Sequence, residues 1–347
     1  MATVLVTGGA GYIGSHTCKA LAAAGHRPVV YDNLSNGHHW AAKWGPLIEA
    51  DILDQAALAH TIEIYRPDSV IHFAGSIEAG ESVRDPGKYH GNNTFGSLSL
   101  LQVLARSDIR RVVFSSTAAV YGTPERTPIP EDHPLLPINP YGNSKLAVER
   151  MLGDFETAHG IRYAALRYFN ASGADPEGDV GEAHDPETHV IPLALRAAMD
   201  TAGRFTVFGT DYPTHDGTAV RDFVHVSDLA DAHVAALAFL SDRDRSDCFN
   251  IGTGKGHSVS EIVSAVQDVT GRRMRLSYGR RRPGDPAVLV ADSGKAREVL
   301  NWSPRFRDVQ EIVATAHRWD CEGLPRQPRP NTVRQASGPV RPASDVA

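Results

Sequence analysis

The sequence predicts an α/β fold, in which a doubly wound, mostly parallel sheet is joined to a smaller mixed α/β domain. Short apolar strands alternate with helical patterns through the first half of the chain, and a glycine-rich turn follows the first strand. After about residue 172 the segments become shorter and mixed. Regular alternation is typical of parallel sheets whose crossovers are helices, and the mixed segments indicate a second unit.

The first half of the chain supplies the elements of the predicted sheet. Apolar runs are predicted as strands at residues 4–6, 28–31, 70–73, 111–114 and 163–166. Segments with helical spacing are predicted as helices at residues 12–24, 87–106 and 141–158. The first helix stops before Gly25, a residue typical of helix C-termini.

We expect three segments in the domain organisation. A Rossmann-type nucleotide-binding domain is predicted at residues 1–172, and an interleaved substrate-binding domain at residues 173–322, with some later segments returning to the first sheet. Residues 173–189 are predicted as a loop. Residues 323–347 contain five prolines, four arginines and one acid. This composition predicts a disordered, solvated extension and favours it over a basic interaction tail.

Composition excludes several classes of function. The chain has 347 residues, 41% of them hydrophobic and 22% charged, with a net charge of -6. The negative balance argues against nucleic-acid or anionic-membrane partners. Three separated cysteines form no CxxC pair, so no metal site is expected and a reducing cytoplasm is favoured. No signal peptide or bilayer-spanning apolar stretch is predicted.

The glycine-rich turn indicates a dinucleotide site. Gly8, Gly11 and Gly14 lie between the first strand and the first helix. Glycines allow a tight turn and close backbone approach, and the helix N-terminus offers free N–H groups to a pyrophosphate. A glycine-rich turn without a ligand is the alternative, and the strand–turn–helix context argues against it.

Acidic residues after the next two strands favour NAD over NADP. Asp32 lies 24 residues after Gly8, where a carboxylate binds the ribose hydroxyls and repels a 2′-phosphate. No basic residue follows it in residues 33–37. Asp51 and Ile52 are expected beside the adenine, with a surface acid and a core side chain as the alternative.

Tyr141 and Lys145 indicate proton transfer beside the dinucleotide. Residues four apart share a helix face, and a nearby ammonium is expected to lower the pKa of a phenol. Ser115 and Thr117 close the predicted strand 111–114, and Thr117 is expected to pass a substrate proton to Tyr141. Alternatively, Tyr141 is a packing aromatic and Thr117 a cap hydroxyl.

Several segments resemble the extended short-chain dehydrogenase/reductase superfamily and, within it, the UDP-glucose 4-epimerase family. The resemblance covers about residues 2–320. The resembling segments are VLVTGGAGYIGSH (4–16), VIHFAG (70–75), FSSTAAVYG (114–122), YGNSK (141–145), LRYFN (166–170), DYPTHDGTAVRDFVHV (211–226) and RRPGD (281–285). The glycine and Tyr/Lys motifs mark the superfamily, whereas the block at 211–226 is closer to the epimerase family.

The resemblance implies residue roles. Thr117, Tyr141 and Lys145 are implied as catalytic. The implied NAD contacts are Gly8, Gly11, Tyr12, Ile13, Gly14, Asp32, Asn33, Asp51, Ile52, Phe73, Ala74, Gly75, Asn92, Ser115, Tyr141, Lys145 and Phe169. The implied UDP-sugar contacts are Thr117, Tyr141, Asn170, His189, Val190, Val207, Phe208, Arg221, Arg282, Asp285 and Leu289. Within this set, Val207 and Phe208 are implied to flank uracil, and Arg221 and Arg282 to bind the diphosphate.

The implied activity is the interconversion of UDP-glucose and UDP-galactose. The sugar C4 gives a hydride to bound NAD, the 4-keto sugar turns over, and the hydride returns to its other face. A homodimer formed through helices 87–106 and 141–158 is also implied.

Four residues at three sites depart from the family pattern. Ile77 stands where many members carry Lys, and His189-Val190 replaces an Asn-Leu pair beside the diphosphate. Leu289 stands where the family has either Tyr, which narrows the sugar pocket, or a small residue, which admits N-acetylated sugars. Intermediate size at residue 289 predicts some activity on UDP-N-acetylhexosamines.

Other functions sharing this fold remain open. Nucleotide-sugar 4,6-dehydratases place Asp-Glu directly after the strand-end Thr, but here Ala118 and Ala119 follow Thr117. A non-catalytic NAD-sensing scaffold is disfavoured by retention of Tyr141 and Lys145. Epimerases of UDP-N-acetylhexosamines, UDP-glucuronate or UDP-pentoses use the same chemistry and form the main alternative.

Overall fold

A parallel sheet of seven strands forms the centre of the computed structural model, which describes residues 1–243, 245–282 and 285–323. The strands are β1 Thr3–Thr7, β2 Arg27–Asp32, β3 Leu47–Glu49, β4 Ser69–His72, β5 Arg111–Thr117, β6 Arg162–Tyr168, β7 Asn170–Ser172, β8 Arg204–Phe208, β9 Val220–His225, β10 Asp247–Ile251, β11 Gly256–Ser258, β12 Arg275–Gly279 and β13 Val288–Leu289. The sheet order is β3-β2-β1-β4-β5-β6-β10, with every pair parallel. The predicted fold class is confirmed.

Helices cover both faces of this sheet, and further helices belong to the later segments. They are α1 Tyr12–Ala23, α2 Gln55–Tyr65, α3 Ala79–Arg84, α4 Pro86–Tyr89, α5 Gly96–Ala105, α6 Pro140–His159, α7 Val190–Met199, α8 Val226–Asp242, α9 Val259–Thr270, α10 Gly294–Leu300 and α11 Val309–Arg318. No helix in the described ranges has the length and apolar character needed to cross a membrane.

Alternation along β1 divides the core between the two faces. Val4 and Val6 pack with residues of α1 and α8, whereas Leu5 packs with residues of α5 and α6. Side chains of a strand point alternately to its two faces, so a sheet covered on both faces needs continuous apolar strands. This explains why the short run VLV was a reliable strand signal.

The long predicted helix at residues 87–106 is interrupted by a wide turn. A π-helical turn, His90–Phe95, separates α4 from α5. Within it, the Asn93 side chain accepts from Ser76 N at 2.7 Å and donates to Ser76 O at 3.0 Å. Such turns often mark functional sites, and here the turn aims two asparagines at the loop after β4.

Later segments both join the large sheet and form a separate layer. β10 pairs with β6 in the large sheet, while β11, β9, β13 and β7 form a second sheet and β12 pairs with β8. A third core cluster joins α7, β8, α9 and α11. The division at residue 172 stays a prediction. The predicted tail lies outside the described residues, apart from Gly323 at the end of the turn Trp319–Gly323.

Candidate functional site

A cavity of about 360 Å³ lies at the carboxyl ends of the central strands. In open parallel sheets this edge is where ligands bind. The predicted residues that line it are Gly8, Gly11, Tyr12, Ile13, Gly14, Asp32, Asn33, Ile52, Phe73, Ala74, Gly75, Asn92, Ser115, Thr117, Tyr141, Lys145, Phe169, Asn170, His189, Arg221 and Leu289. Tyr168 and His184 also line it and were not predicted.

The turn after β1 is packed so closely that it has no space for a side chain at Gly8 or Gly14. Gly8 has φ +72, and a Cβ there would lie 2.6 Å from Ala74 N. A Cβ on Gly14 would lie 2.2 Å from Gly8 O. The Gly11 N-cap of α1 makes no side-chain capping bond, and the first turn carries no acidic residue. Within the described residues the helix N-terminus is thus open to an anion such as a pyrophosphate.

Asp32 holds the glycine turn as well as facing the cavity. Its carboxylate accepts hydrogen bonds from Ala10 N and Leu34 N, both at 2.9 Å. Burial raises the pKa of Asp32, while these two amides act in the opposite direction. The acid therefore sits where the prediction placed it, at the end of β2, with a structural role in addition.

Asp51 was predicted to lie beside the adenine, but it is not among the residues that line the cavity. Its carboxylate instead accepts from Asn33 Nδ2 at 2.8 Å and from Leu53 N at 2.8 Å. Ile52, next in the chain, does line the cavity. Asp51 therefore fixes the Asn33 amide, which does line the cavity.

Tyr141 and Thr117 line the same cavity. The Thr117 side chain is fixed at the end of β5, where its Oγ1 accepts from Ala119 N at 3.1 Å. Burial raises the pKa of Tyr141, the Thr117 side chain lowers it, and the charge of Glu78 raises it. Lys145 is not among the groups that act on this pKa, so the lowering expected from its four-residue spacing is not seen.

Lys145 is directed toward the strand end. Its Nζ donates to Ser115 O at 2.9 Å and lies 5.1 Å from the centre of the Phe114 ring. Burial lowers the pKa of Lys145 to about 8. The ammonium therefore sits beside the cavity with donor capacity left for a ligand.

Asn93 positions the helix that carries this pair. Its Nδ2 donates to Ser144 Oγ at 3.0 Å, next to Lys145, and to the Ser76 carbonyl. Asn93 is 1% exposed. It was missed because an asparagine inside a helical pattern gives no sign of a buried partner distant in sequence.

The predicted diphosphate and uridine residues lie at the rim. Arg221 is ion-paired with Asp285 and donates to Val220 O at 2.8 Å. The Arg282 guanidinium lies 4.3 Å from the centre of the exposed Phe208 ring. Arg282, Asp285 and Phe208 do not line the cavity itself. These three residues lie outside the cavity, where the Arg282 guanidinium and the Phe208 ring are in contact.

Val207 is not placed for side-chain contact with a ligand. Val207 is 2% exposed and packs in the third core cluster, on the opposite face of β8 from Phe208. Alternation along a strand therefore allows one of the two side chains, not both, to flank a ring. Val190 begins α7 and packs against the same cluster while staying partly exposed, so its contact with the substrate stays a prediction.

Comparison with known proteins identifies the family. The sequence pattern of the NAD dependent epimerase/dehydratase family matches residues 4–252. A UDP-glucose 4-epimerase of Rhizobium leguminosarum bv. trifolii is 50% identical over 320 residues, covering 92% of this chain and 98% of that protein. The chain belongs to this epimerase/dehydratase family.

Solved structures agree with the sequence comparison. The crystal structure of UDP-glucose 4-epimerase from Brucella ovis in complex with NAD is similar, with a TM-score of 0.89 and 51% identity. The match covers 91% of this chain and 98% of the Brucella ovis chain. The UDP-Glc/GlcNAc 4-epimerase of Campylobacter jejuni has a TM-score of 0.81 and 38% identity, covering 92% and 99%.

Two of the residues that depart from the family pattern face the cavity with hydrophobic side chains. Ile77 is 38% exposed and lines it near the loop after β4. Leu289 lines it from β13 and packs against a cluster that includes Ala118 and Tyr121, directly beyond Thr117. Within this family member, Leu289 therefore borders the space in which a sugar next to Tyr141 would lie.

Proposed function

We propose that this protein interconverts UDP-glucose and UDP-galactose with bound NAD. The observation that carries the proposal is that Tyr141 and Thr117 line the same cavity as the open glycine turn and Arg221. A proton acceptor, a dinucleotide cradle and an anion-binding group then share one space. The relatives described above, named as UDP-glucose 4-epimerases, support the same substrate.

The cavity residues fit NAD. The open N-terminus of α1 suits the pyrophosphate, and Asp32 suits the adenosine ribose while repelling a 2′-phosphate. Asn92 and Lys145 line the same cavity as these groups and Tyr141. NAD, when bound, supplies an acceptor for the C4 hydride and returns that hydride to the other face.

Tyr141 and Thr117 move the hydroxyl proton. Tyr141 takes the proton of the sugar 4-hydroxyl through Thr117 as the hydride leaves C4, and it returns the proton when the hydride comes back. A bound cation near the phenol favours its ionised form. The Lys145 ammonium supplies one such charge once its Nζ turns from Ser115 O toward a ligand.

Substrate anchoring is assigned to the nucleotide part. Arg221 and Arg282 bind the diphosphate, Phe208 stacks on the uracil, and Asp285 accepts from the ribose. Arginine suits a diphosphate because it makes paired charge-assisted bonds. A firmly held UDP leaves the hexose free to turn over.

The deciding experiment offers three substrates to the purified, NAD-containing protein. UDP-galactose, UDP-N-acetylgalactosamine and UDP-glucuronate are incubated separately without reductant, and products are identified by NMR. We expect UDP-glucose from UDP-galactose at the highest rate. No interconversion of any of the three would refute epimerase activity, and a faster reaction of another sugar would reassign the substrate.

Leu289 supports a second substrate class, the UDP-N-acetylhexosamines. Its side chain is smaller than tyrosine, so the pocket keeps space that an N-acetyl group could use. Leu289→Tyr is expected to lower kcat/KM for UDP-N-acetylgalactosamine about tenfold or more, since overfilling a packed site costs about 1–3 kcal/mol. Activity on UDP-galactose measured in parallel is the control, and an equal loss on both substrates would contradict the selective role.

Assembly and location complete the proposal. We propose a homodimer formed through the helical segments 86–105 and 140–159, where Phe95 is 61% exposed. A cytoplasmic location is proposed because Cys18, Cys248 and Cys321 are all free thiols.

A further inference from the structure

Two histidines and two glutamates form a cluster at one end of the cavity. This His–Glu cluster consists of Glu182, His184, Glu187 and His189, whose ligand atoms lie within 4.8 Å of one another. The two histidines line the cavity, whereas the side chains of Glu182 and Glu187 are 7% and 1% exposed. Two carboxylates are therefore buried behind the two imidazoles, in a segment that sequence analysis treated as a plain loop.

Both glutamates bind the same nitrogen of His189. Nδ1 of His189 lies 2.7 Å from Glu182 Oε1 and 3.1 Å from Glu187 Oε1. A carboxylate can only accept, so Nδ1 carries a hydrogen and donates. The other nitrogen, Nε2, makes no hydrogen bond within the described part of the chain. It is the atom left for a ligand, on a side chain 35% exposed.

The charge of the imidazole decides what Nε2 can bind. With Nδ1–H fixed, a neutral ring has a lone pair on Nε2 and would repel phosphate oxygens. An imidazolium has Nε2–H and donates to them. A UDP-sugar diphosphate is an acceptor alone at neutral pH, so the ring binds it in the protonated form.

We propose that Glu182 and Glu187 hold His189 as an imidazolium whose Nε2–H binds the substrate diphosphate, as a third cation beside Arg221 and Arg282. The inference rests on the proposed function and adds Glu182 and Glu187 as positioning residues. It also gives a physical role to the departure at residue 189, because an asparagine would donate there without charge.

The surrounding groups favour this protonated state. Burial alone would lower the pKa of His189, but the charges and hydrogen bonds of Glu182 and Glu187 raise it well above its ordinary value. The other titratable or charged groups around the cluster are Tyr12, Arg196, His317 and Asp320, and Arg221 lines the same cavity.

Two other side chains also contact the two carboxylates, each through one atom. His184 Nδ1 also binds Glu182 Oε1, at 3.0 Å, and Arg196 Nη2 lies 4.0 Å from Glu187 Oε2. Tyr12 is neutral, because burial and both glutamates raise its pKa well above the ordinary value. The two buried carboxylates therefore outweigh the opposing charges, and His189 is their nearest counter-ion.

A divalent metal is the competing occupant of the same donor set. Two imidazole nitrogens and two carboxylate oxygens also suit zinc. The separations of 2.7 and 3.1 Å between Nδ1 and the two oxygens are, however, those of hydrogen bonds. The geometry therefore favours a proton over a metal, and metal binding becomes an outcome of the test.

The test measures binding without turnover. Tyr141→Phe protein loaded with NAD is titrated calorimetrically with UDP-glucose from about pH 6 to about pH 10, a range that starts near the free imidazole pKa and extends well above it, because the two glutamates raise the pKa of His189. Glu187→Gln keeps an acceptor for Thr188 N and His189 N while removing the charge. We expect Glu187→Gln to shift the fall in affinity for UDP-glucose to a pH that is about one unit lower. Above that pH the affinity for UDP-glucose should be about tenfold weaker.

A double variant separates this role from a structural one. In the His189→Asn background, affinity should not vary with pH, and adding Glu187→Gln should change nothing. An unchanged pH profile in Glu187→Gln, or an equal effect in both backgrounds, would overturn the proposal. One equivalent of bound zinc whose removal by a chelator weakens binding would also overturn it.

Failure of the wider proposal gives a different result. If the protein with intact Tyr141 interconverts no UDP-sugar and UDP-glucose does not bind at any pH, the proposed function itself fails. Normal turnover with no dependence on Glu187 removes the His189 assignment alone.

Discussion

Tyr141→Phe is expected to stop turnover while NAD stays bound. The change deletes one oxygen, which accepts and returns the 4-hydroxyl proton in the proposed mechanism. Positioned acid–base groups contribute about 10²- to 10⁴-fold to rate, so we expect kcat to fall about a thousandfold or more. The measurement is the rate of UDP-galactose conversion, with bound NAD determined after denaturation.

Tyr89→Phe is the matched control. The Tyr89 ring packs edge-on against Tyr141 with ring centres 6.3 Å apart, and its hydroxyl donates to Glu81 Oε2 at 2.9 Å. Loss of this neighbouring hydroxyl should leave kcat within a few-fold of wild type. If Tyr141→Phe keeps comparable turnover, the phenol is not the proton carrier and Thr117 alone would need another base.

Local patterns explain why much of this site was predictable. The glycine turn, Asp32 and Thr117 each follow directly from a strand end, and parallel strands bring their carboxyl ends to one edge. The strand pattern therefore predicts which residues lie at that edge of the sheet. That is why Gly8, Asp32 and Thr117 were all expected in one place and do line one cavity.

Residues whose environment depends on other segments were predicted less well. Asp51 was placed by its position after a strand, but its partner is the Asn33 side chain. Val207 was paired with Phe208 although adjacent strand residues point to opposite faces. The effect of Lys145 was inferred from its four-residue spacing, which says nothing about the Ser115 carbonyl that receives its Nζ.

The largest omission is a buried ion pair behind the catalytic strand. Arg167 Nη2 donates to Glu149 Oε2 at 2.6 Å, and Arg167 Nε donates to Oε1 at 3.0 Å. The Arg167 side chain is 5% exposed and the Glu149 side chain is 6% exposed. Ser116, next to Thr117, donates to the same Glu149 Oε1 at 2.5 Å. A Glu on α6 and an Arg on β6 give no sequence signal of pairing.

Glu149→Gln is expected to lower the free energy of unfolding by about 3 kcal/mol, because it leaves the Arg167 charge buried without its counter-ion. Burial alone would lower the pKa of Arg167, but the hydrogen bonds and charge of Glu149 raise it, so the guanidinium stays charged. Urea unfolding followed by circular dichroism, at one saturating NAD concentration, measures the change.

Two further variants test that the cost comes from an uncompensated buried charge. Asp132→Asn removes the partner of Arg126 in a pair whose side chains are 78% and 59% exposed, and should cost under about 1 kcal/mol. Replacing Glu149 and Arg167 together by leucine and methionine should recover much of the lost stability, because neither charge is then stranded. If the single and double variants are equally unstable, the loss comes from packing around Ser116 and not from charge. In that case Glu149 supports the catalytic strand through its hydrogen bond to Ser116, and turnover should fall in proportion in both variants.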